Sequence, residues 1–256
     1  MAICRLCLKN KELIKKSHII PEFMYRDLFD ENHKIHVFNP AELATENPKV
    51  KRPSSGEYEG NILCADCDNK VIGGYEDYAC KAIYGGPLHA DESPICQNYQ
   101  TQDGLEFSAC ENINYKKFKL FLLSILWRAS ISTRPLFNQI SLGPHEEVIR
   151  QMVYGGNPGD ASDYPVFMLT YITDKSIPKD LIGHPQKRKT KTGHLTNCFV
   201  IAGTVYVFYT NSKTHKLPDF VLSSTIRPSN ELNIFHIPKG EGENLILSFC
   251  GFKPTR

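Results

Sequence analysis

Cys4-Arg5-Leu6-Cys7, Ser17-His18-Ile19-Ile20-Pro21 and Cys64-Ala65-Asp66-Cys67 follow one another in the first third of a 256-residue chain, and their reading decides the fold of that third. Two thiols separated by two residues form a knuckle. Two converging knuckles can place four sulfurs tetrahedrally around one zinc ion. The surrounding sequence, to about residue 100, is irregular, with short apolar runs interrupted by Gly and Pro, so a structural metal at Cys4, Cys7, Cys64 and Cys67 is expected to replace part of a core. Separate buried thiols are the competing reading of the same residues.

The chain opens Met-Ala-Ile-Cys and enters the first knuckle directly, so no secretory signal is read and a cytoplasmic, reducing location is expected. Nine cysteines is an odd number; with four in the knuckles, Cys80, Cys96, Cys110, Cys198 and Cys250 are expected as buried free thiols rather than a disulfide framework. At 41% hydrophobic and 23% charged residues the chain can bury a sizeable core. The longest apolar run, residues 118–127, is interrupted by Lys119 and is far shorter than the roughly 20 residues that span a bilayer, so no membrane segment is read. A net charge of +2 neither demands nor excludes a polyanionic partner. Lys187, Arg188, Lys189 and Lys191 cluster before Gly193, either as a phosphate-contacting loop or as a solvated hairpin.

Hydrophobic spacing organises the remainder. Residues 42–59, rich in Pro, Ser, Lys and Glu, read as an exposed insertion between the knuckles. Ile72, Tyr75, Ala79 and Ile83 recur at helical spacing after the second knuckle despite Gly73 and Gly74. Asn114 is placed to cap a helix over 115–132, apolar nearly all round and containing Trp127, with Arg128 as a helix-terminal cation. Val148, Ile149, Met152 and Val153 mark another helix after Pro144. Residues 166–172, 198–201, 204–209 and 244–249 are rich in β-branched and aromatic residues and are expected as strands, with Ala202-Gly203 as a tight hairpin turn. The fold expected is α+β, with a zinc-stapled module over residues 1–103 and a helix packed on an antiparallel sheet over residues 104–256.

The order of knuckle, Ser17-His18-Ile19-Ile20-Pro21 and second knuckle followed by Asp68-Asn69-Lys70 resembles the zinc-knuckle branch of the HNH endonuclease superfamily, over roughly residues 1–85. The resemblance implies a ββα-metal motif opened by the histidine and closed by the helix that the second knuckle starts. It implies a metal-dependent endonuclease acting on phosphodiester bonds of DNA or RNA, with His18 as general base and a divalent ion, Mg or Mn, beside it. It also suggests a setting in bacterial defence, including phage defence, or a mobile element, and a homodimer or a partner protein engaged through the C-terminal domain.

Ser17 stands where many active members carry an acidic or histidine ligand, and the closing helix offers no histidine. Asp68, Asn69 and Glu76 are the oxygen donors left for a hard ion. Asp68 and Asn69 also read as a helix cap, and Glu76 as a surface residue. These departures motivate the alternative: a catalytically inactive zinc-binding adaptor for nucleic acid or protein on the same scaffold. In the C-terminal region no nucleophile triad, glycine-rich phosphate loop or paired-carboxylate motif is read, and His145, His194, His215 and His236 are assigned no role.

Overall fold

Helix α2, Tyr115–Ile131, forms the centre of the molecule, and its sequence leaves it little choice. Phe118, Leu120, Phe121, Leu122, Leu123, Ile125, Leu126, Trp127 and Ala129 are all buried, so the helix has an apolar surface on every side and must be enclosed. Its first turn is fixed by Asn114, whose Oδ1 accepts from the Lys117 N–H at 2.8 Å. The computed structural model describes residues 1–35, 52–175, 177, 179–210 and 216–249. Most of the expected insertion at 42–59 lies outside these residues, as do His215 and Cys250.

On one side α2 packs against α1, Gly73–Tyr84, and α3, His145–Gly155. On the other lies a seven-stranded sheet. In chain order its strands are β5 Ile95–Gln100, β6 Glu106–Glu111, β7 Val166–Thr170, β8 Gln186–Lys189, β9 Leu195–Ile201, β10 Thr204–Tyr209 and β11 Leu232–His236. Across the sheet they run β5-β6-β11-β7-β10-β9-β8. The sheet is mixed rather than wholly antiparallel, because β11 lies parallel to β7 with Ile234 opposite Met168. Strands β9 and β10 are buried almost throughout, Thr196, Asn197 and Thr204 included, because both faces are covered. Phe199, Ile201, Tyr206 and Phe208 join the core around α2, while Cys198, Val200, Val205, Val207 and Tyr209 join a second core. That second core is closed by Val221 of α4, Asp219–Ser224, and Ile246 of α5, Gly242–Phe249.

The turn between β9 and β10 is the expected hairpin: Ala202 and Gly203 take φ of +46° and +82°. A Cβ on Gly203 would also sit 2.7 Å from Ile172 Cγ1, so glycine is required there twice over.

Four expectations are corrected. Residues 244–249 belong to α5 rather than a strand; a short apolar run has no intrinsic preference, and Ile246 fills the outer core from a helix as well as it would from a strand. Residues 95–100 and 106–111, too polar to be read as strands, pair as a hairpin across the turn at 101–105. Cys96 and Cys110 face each other in its register and form a disulfide instead of free thiols. Cys80 is only partly buried, whereas Cys198 is a buried free thiol, pushed up to about 11 by burial.

Lys119 is the anomaly inside α2, with 1% of its surface exposed. Its ammonium donates to Tyr115 Oη at 2.9 Å and to the Asp160 carbonyl at 2.5 Å. Burial nevertheless lowers its pKa to about 8, against the opposing pull of Asp163 and Asp160. Below pH 8 the group is protonated in folded and unfolded chains alike, and the folded state carries the full burial cost. Between about 8 and the ordinary lysine value the unfolded state binds more protons, so this residue's contribution to stability rises with pH. Lys119→Met, measured by urea unfolding at a series of pH values, is expected to exceed wild-type stability by the most at pH 7, with the difference shrinking from pH 8 toward 9.5. A difference independent of pH would show that the ammonium is not the group responsible.

Candidate metal centre and the residues beside it

The first knuckle is a tight loop on the two-stranded hairpin β1, Ala2–Ile3, and β2, Asn10–Lys11. Leu8 closes it with φ of +58° while donating to the Cys4 carbonyl at 2.9 Å. The second knuckle opens a wide helical turn, Asp66–Ile72, that runs into α1. The Arg5 N–H donates to the Ile62 carbonyl at 2.8 Å and ties the two together. The Cys64 N–H, in turn, donates to Cys4 Sγ at 3.3 Å.

The four sulfurs of Cys4, Cys7, Cys64 and Cys67 all lie within 4.8 Å of one another. A tetrahedron with zinc–sulfur bonds of about 2.3 Å has edges of about 3.8 Å, so the cluster has the dimensions of a structural zinc site. Cys4, Cys64 and Cys67 are buried and Cys7 is partly so. Burial, with hydrogen bonds from the neighbouring thiols, pushes the Cys67 thiol far above its ordinary value. A divalent ion bound among the sulfurs would supply the charge that thiolate ligands need. The cluster can therefore hold a metal ion such as zinc. Arg150 of α3 donates to the Leu6 carbonyl, and its Nε pairs with Glu147 at 2.7 Å, which fastens the knuckle to the helical layer.

Next to this centre, β3, Ser17–His18, pairs antiparallel with β4, Tyr58–Glu59, so that Ser17 faces Glu59 and His18 faces Tyr58. Between the two strands the chain forms a 3-10 helix, Glu22–Leu28, and after β4 it passes through the second knuckle into α1. His18 is partly exposed; its Nε2 lies 2.8 Å from Glu22 Oε2 and 3.2 Å from Ser55 Oγ, with the Tyr58 ring edge-on. Ser17 is fully buried, and its hydroxyl donates to Asp68 Oδ1 at 2.6 Å. The turn holding Asp68 is a π-turn whose widening is closed by Gly73, which donates to the Asp68 carbonyl. A Cβ on Gly73 would come within 3.2 Å of that oxygen. Asn69 is exposed on the same turn.

Glu76, expected as an oxygen donor, is the partner of Arg128 through its Oε1. That guanidinium, in the last turn of α2 as expected, is 1% exposed and lies inside the fold. Its Nη2 donates to Glu76 Oε1 at 2.6 Å and its Nη1 to the His18 carbonyl. Arg134 donates to the Tyr58 carbonyl at 2.7 Å, and Glu59 accepts from Ser132 and Thr133 beyond the end of α2. Although burial opposes it, these Thr133 and Ser132 bonds hold the Glu59 carboxyl below its usual range. Both short strands are thus gripped by α2 and the segment following it. Glu22, and the partners of Arg128, escape sequence reading because the first stands beside a side chain one turn away and the second reaches a carbonyl more than a hundred residues away.

The basic run at 187–191 forms β8 and its turn. Lys187 donates to the Ser141 carbonyl at 2.7 Å, and Arg188 donates to the Ser248 carbonyl and lies against the Phe249 ring, so two of these cations are used within the fold. Among the described residues no helix is long and apolar enough to cross a membrane.

No protein-family model, no curated protein sequence and no solved structure matches this chain. The site must therefore be read from its own geometry.

Elemental analysis of the purified protein is expected to give one zinc per chain, and chelation to lower the thermal midpoint; Cys64→Ser is expected to reproduce both losses. A metal-free protein with an unchanged midpoint would mean that the thiols pack without an ion. Arg128→Met leaves the Glu76 carboxylate and His18 carbonyl without their donor, with an expected cost of about 2 kcal/mol in urea unfolding. A cost near zero would assign the fixing of β3 to other contacts.

Proposed function

We propose that residues 1–85 form an HNH-type ββα-metal module and that the protein is a metal-dependent endonuclease hydrolysing phosphodiester bonds in DNA or RNA. The observation that carries this reading is the contact between Ser17 and Asp68, next to His18, across a strand–strand–helix unit stapled by four cysteines. A buried hydroxyl and a half-exposed carboxylate make a hard-oxygen donor pair of the kind that holds Mg or Mn through one carboxylate and retained waters. When bound, such an ion would supply charge stabilisation to the phosphate and a lower pKa to its water.

The residues of the chain do the rest. With its proton on Nε2, His18 donates to Ser55 Oγ at 3.2 Å and leaves Nδ1 to take a proton from water, while Glu22 Oε2 stands 2.8 Å from the same Nε2 as a nearby negative charge. Arg128 sets the position of the His18 backbone through its carbonyl. Asp68 is the expected metal donor, with Asn69 available from the same turn; Glu76 contributes through Arg128 and not through the ion. A setting in bacterial defence or a mobile element, cytoplasmic location, and association as a homodimer or with a partner protein remain part of the proposal on the strength of the resemblance.

The adaptor reading draws on the same contacts, since Ser17 and Glu76 are already committed to partners within the protein. Cleavage of plasmid DNA and of RNA, with Mg or Mn, separates the two. His18→Ala is expected to reduce cleavage at least about 100-fold, and Asp68→Asn to raise the metal concentration required, both with zinc content unchanged. Undiminished cleavage by His18→Ala would remove the histidine from the mechanism. Absence of cleavage in Mg, Mn, Ni and Zn, combined with salt-sensitive nucleic acid binding, would establish the adaptor.

A further inference from the structure

Strand β5, Ile95–Gln100, is an open border of the large sheet: it pairs with β6 on one side, and among the described residues no strand pairs with it on the other. Its six residues are all exposed, and none of them is charged. Edge strands that stay single are blunted by lysines, by proline or by a bulge, because their unpaired N–H and C=O groups otherwise take up another strand. Within β5 none of these devices is present. Its register with β6 runs from Ile95 opposite Glu111 to Gln100 opposite Glu106 without a residue skipped.

The strand is held in shape before any partner arrives. On the face toward α2, Cys96 is bridged to Cys110, itself part of the core. On the other face Tyr99 stacks on Phe107 at 5.6 Å, Phe107 on Phe235 at 5.6 Å and Phe235 on Phe167 at 5.4 Å, a row of rings that crosses four strands and ends at β5. Alternation puts Ile95, Gln97 and Tyr99 together on this ring face. Tyr99 Oη donates to Gln97 Oε1 at 2.7 Å, while Ile95 and Tyr99 remain 56% and 49% exposed. A strand already fixed in extended form loses little further freedom when it pairs.

We propose that β5 pairs antiparallel with β5 of a second copy of this chain, about a two-fold axis at Gln97, making one sheet that runs through both copies. The strand is complementary to itself in this register. Ile95 falls opposite Tyr99 of the partner subunit, Cys96 opposite Asn98 of the partner subunit, and Gln97 opposite Gln97 of the partner subunit. Each exposed aliphatic side chain thus meets an exposed aromatic ring, a favourable cross-strand pair. A charge at the centre of a two-fold pair would face itself, and a neutral strand avoids that penalty. The same neutrality argues for a copy over a nucleic acid strand, which would find no cation on β5 and would meet Glu106 and Glu111 on β6. A ladder of six residues per copy covers less than the roughly 1,200 Å² of a standard interface, so the dimer is reversible and dissociates in the micromolar range. The pairing gives a surface to the association named above and depends on the edge strand alone, so it stands or falls apart from the nuclease chemistry.

Sedimentation equilibrium of the full-length protein, from micromolar to near-millimolar concentration, is expected to show monomer and dimer and no larger species, because a two-fold contact closes on itself. Gln97→Lys sets two ammonium groups against each other at the axis and is expected to weaken the dimer at least about tenfold, and Gln97→Glu to do the same with two carboxylates. Mixing these two variants is expected to restore association as a heterodimer, which a loss of folding could not mimic. Circular dichroism and zinc content should match wild type in both. His18→Ala should dimerise as wild type does, whatever its cleavage. A monomer at every concentration would overturn the proposal, as would a dimer indifferent to Gln97→Lys or a mixture that fails to associate. Capture of a single-stranded oligonucleotide by the monomer, lost on Tyr99→Ala, would give the edge a different occupant and overturn it as well.

Discussion

A guanidinium with almost no solvent contact has to be surrounded by acceptors, and Arg128 on α2 meets this requirement with three elements of the chain: its own helix, α1 through Glu76 and β3 through the His18 carbonyl. Leaving any of these acceptors out would strand a buried charge, so the arrangement of helix, helix and strand is mutually determined. The short β3–β4 ladder, which has only two residue pairs of its own, is stable because it is held from α2 rather than by its own pairing. The four-cysteine cluster acts in the same sense, bringing residues 4 and 64 to one point and making the long intervening segment a closed loop.

Local signals in the sequence were sufficient wherever the physics is local. The four cysteines converge as their spacing implies, Asn114 caps α2, and Ala202-Gly203 makes the hairpin turn, because each depends on residues a few positions apart. The α+β character followed from the periodicity of residues 115–132 and 198–209. Strands β5 and β6 were not legible because their side chains are largely polar and exposed, and only their pairing with each other, and of β6 with β11, makes them strands. Residues 244–249 misled because a strongly apolar stretch of six fits either element, and the outer core it covers already had its strands. The Cys96–Cys110 bridge was likewise hidden, since the register that opposes the two residues cannot be inferred until the hairpin is known.

The same division applies to the site. His18 and the knuckles were visible as a pattern, whereas the consequences of Ser17 required its neighbours. Taken alone Ser17 is a missing ligand; in the fold it is a buried hydroxyl committed to Asp68, so the loss of one charge is accompanied by an anchored carboxylate. Glu76 moves in the opposite direction, from a free donor on a helix to the counter-charge of Arg128. His236, assigned nothing by its sequence surroundings, is brought within 2.8 Å of Ser108 Oγ by cross-strand geometry, which pairs residues more than a hundred positions apart.

The two borders of the seven-stranded sheet are unlike. At one end, β8 reads Gln186-Lys187-Arg188-Lys189, and a second sheet approaching it would have to bury lysines against its own backbone. At the other, β5 exposes all six residues without a single charge, and its open N–H and C=O groups are backed by a hairpin cross-linked through Cys96 and Cys110. The molecule is consequently polarised as a building unit: strand-to-strand growth is blocked by charge on one side and left to a stapled polar ribbon on the other. Stacking of copies into a continuous sheet needs both borders, so the lysine border alone is enough to stop it from propagating.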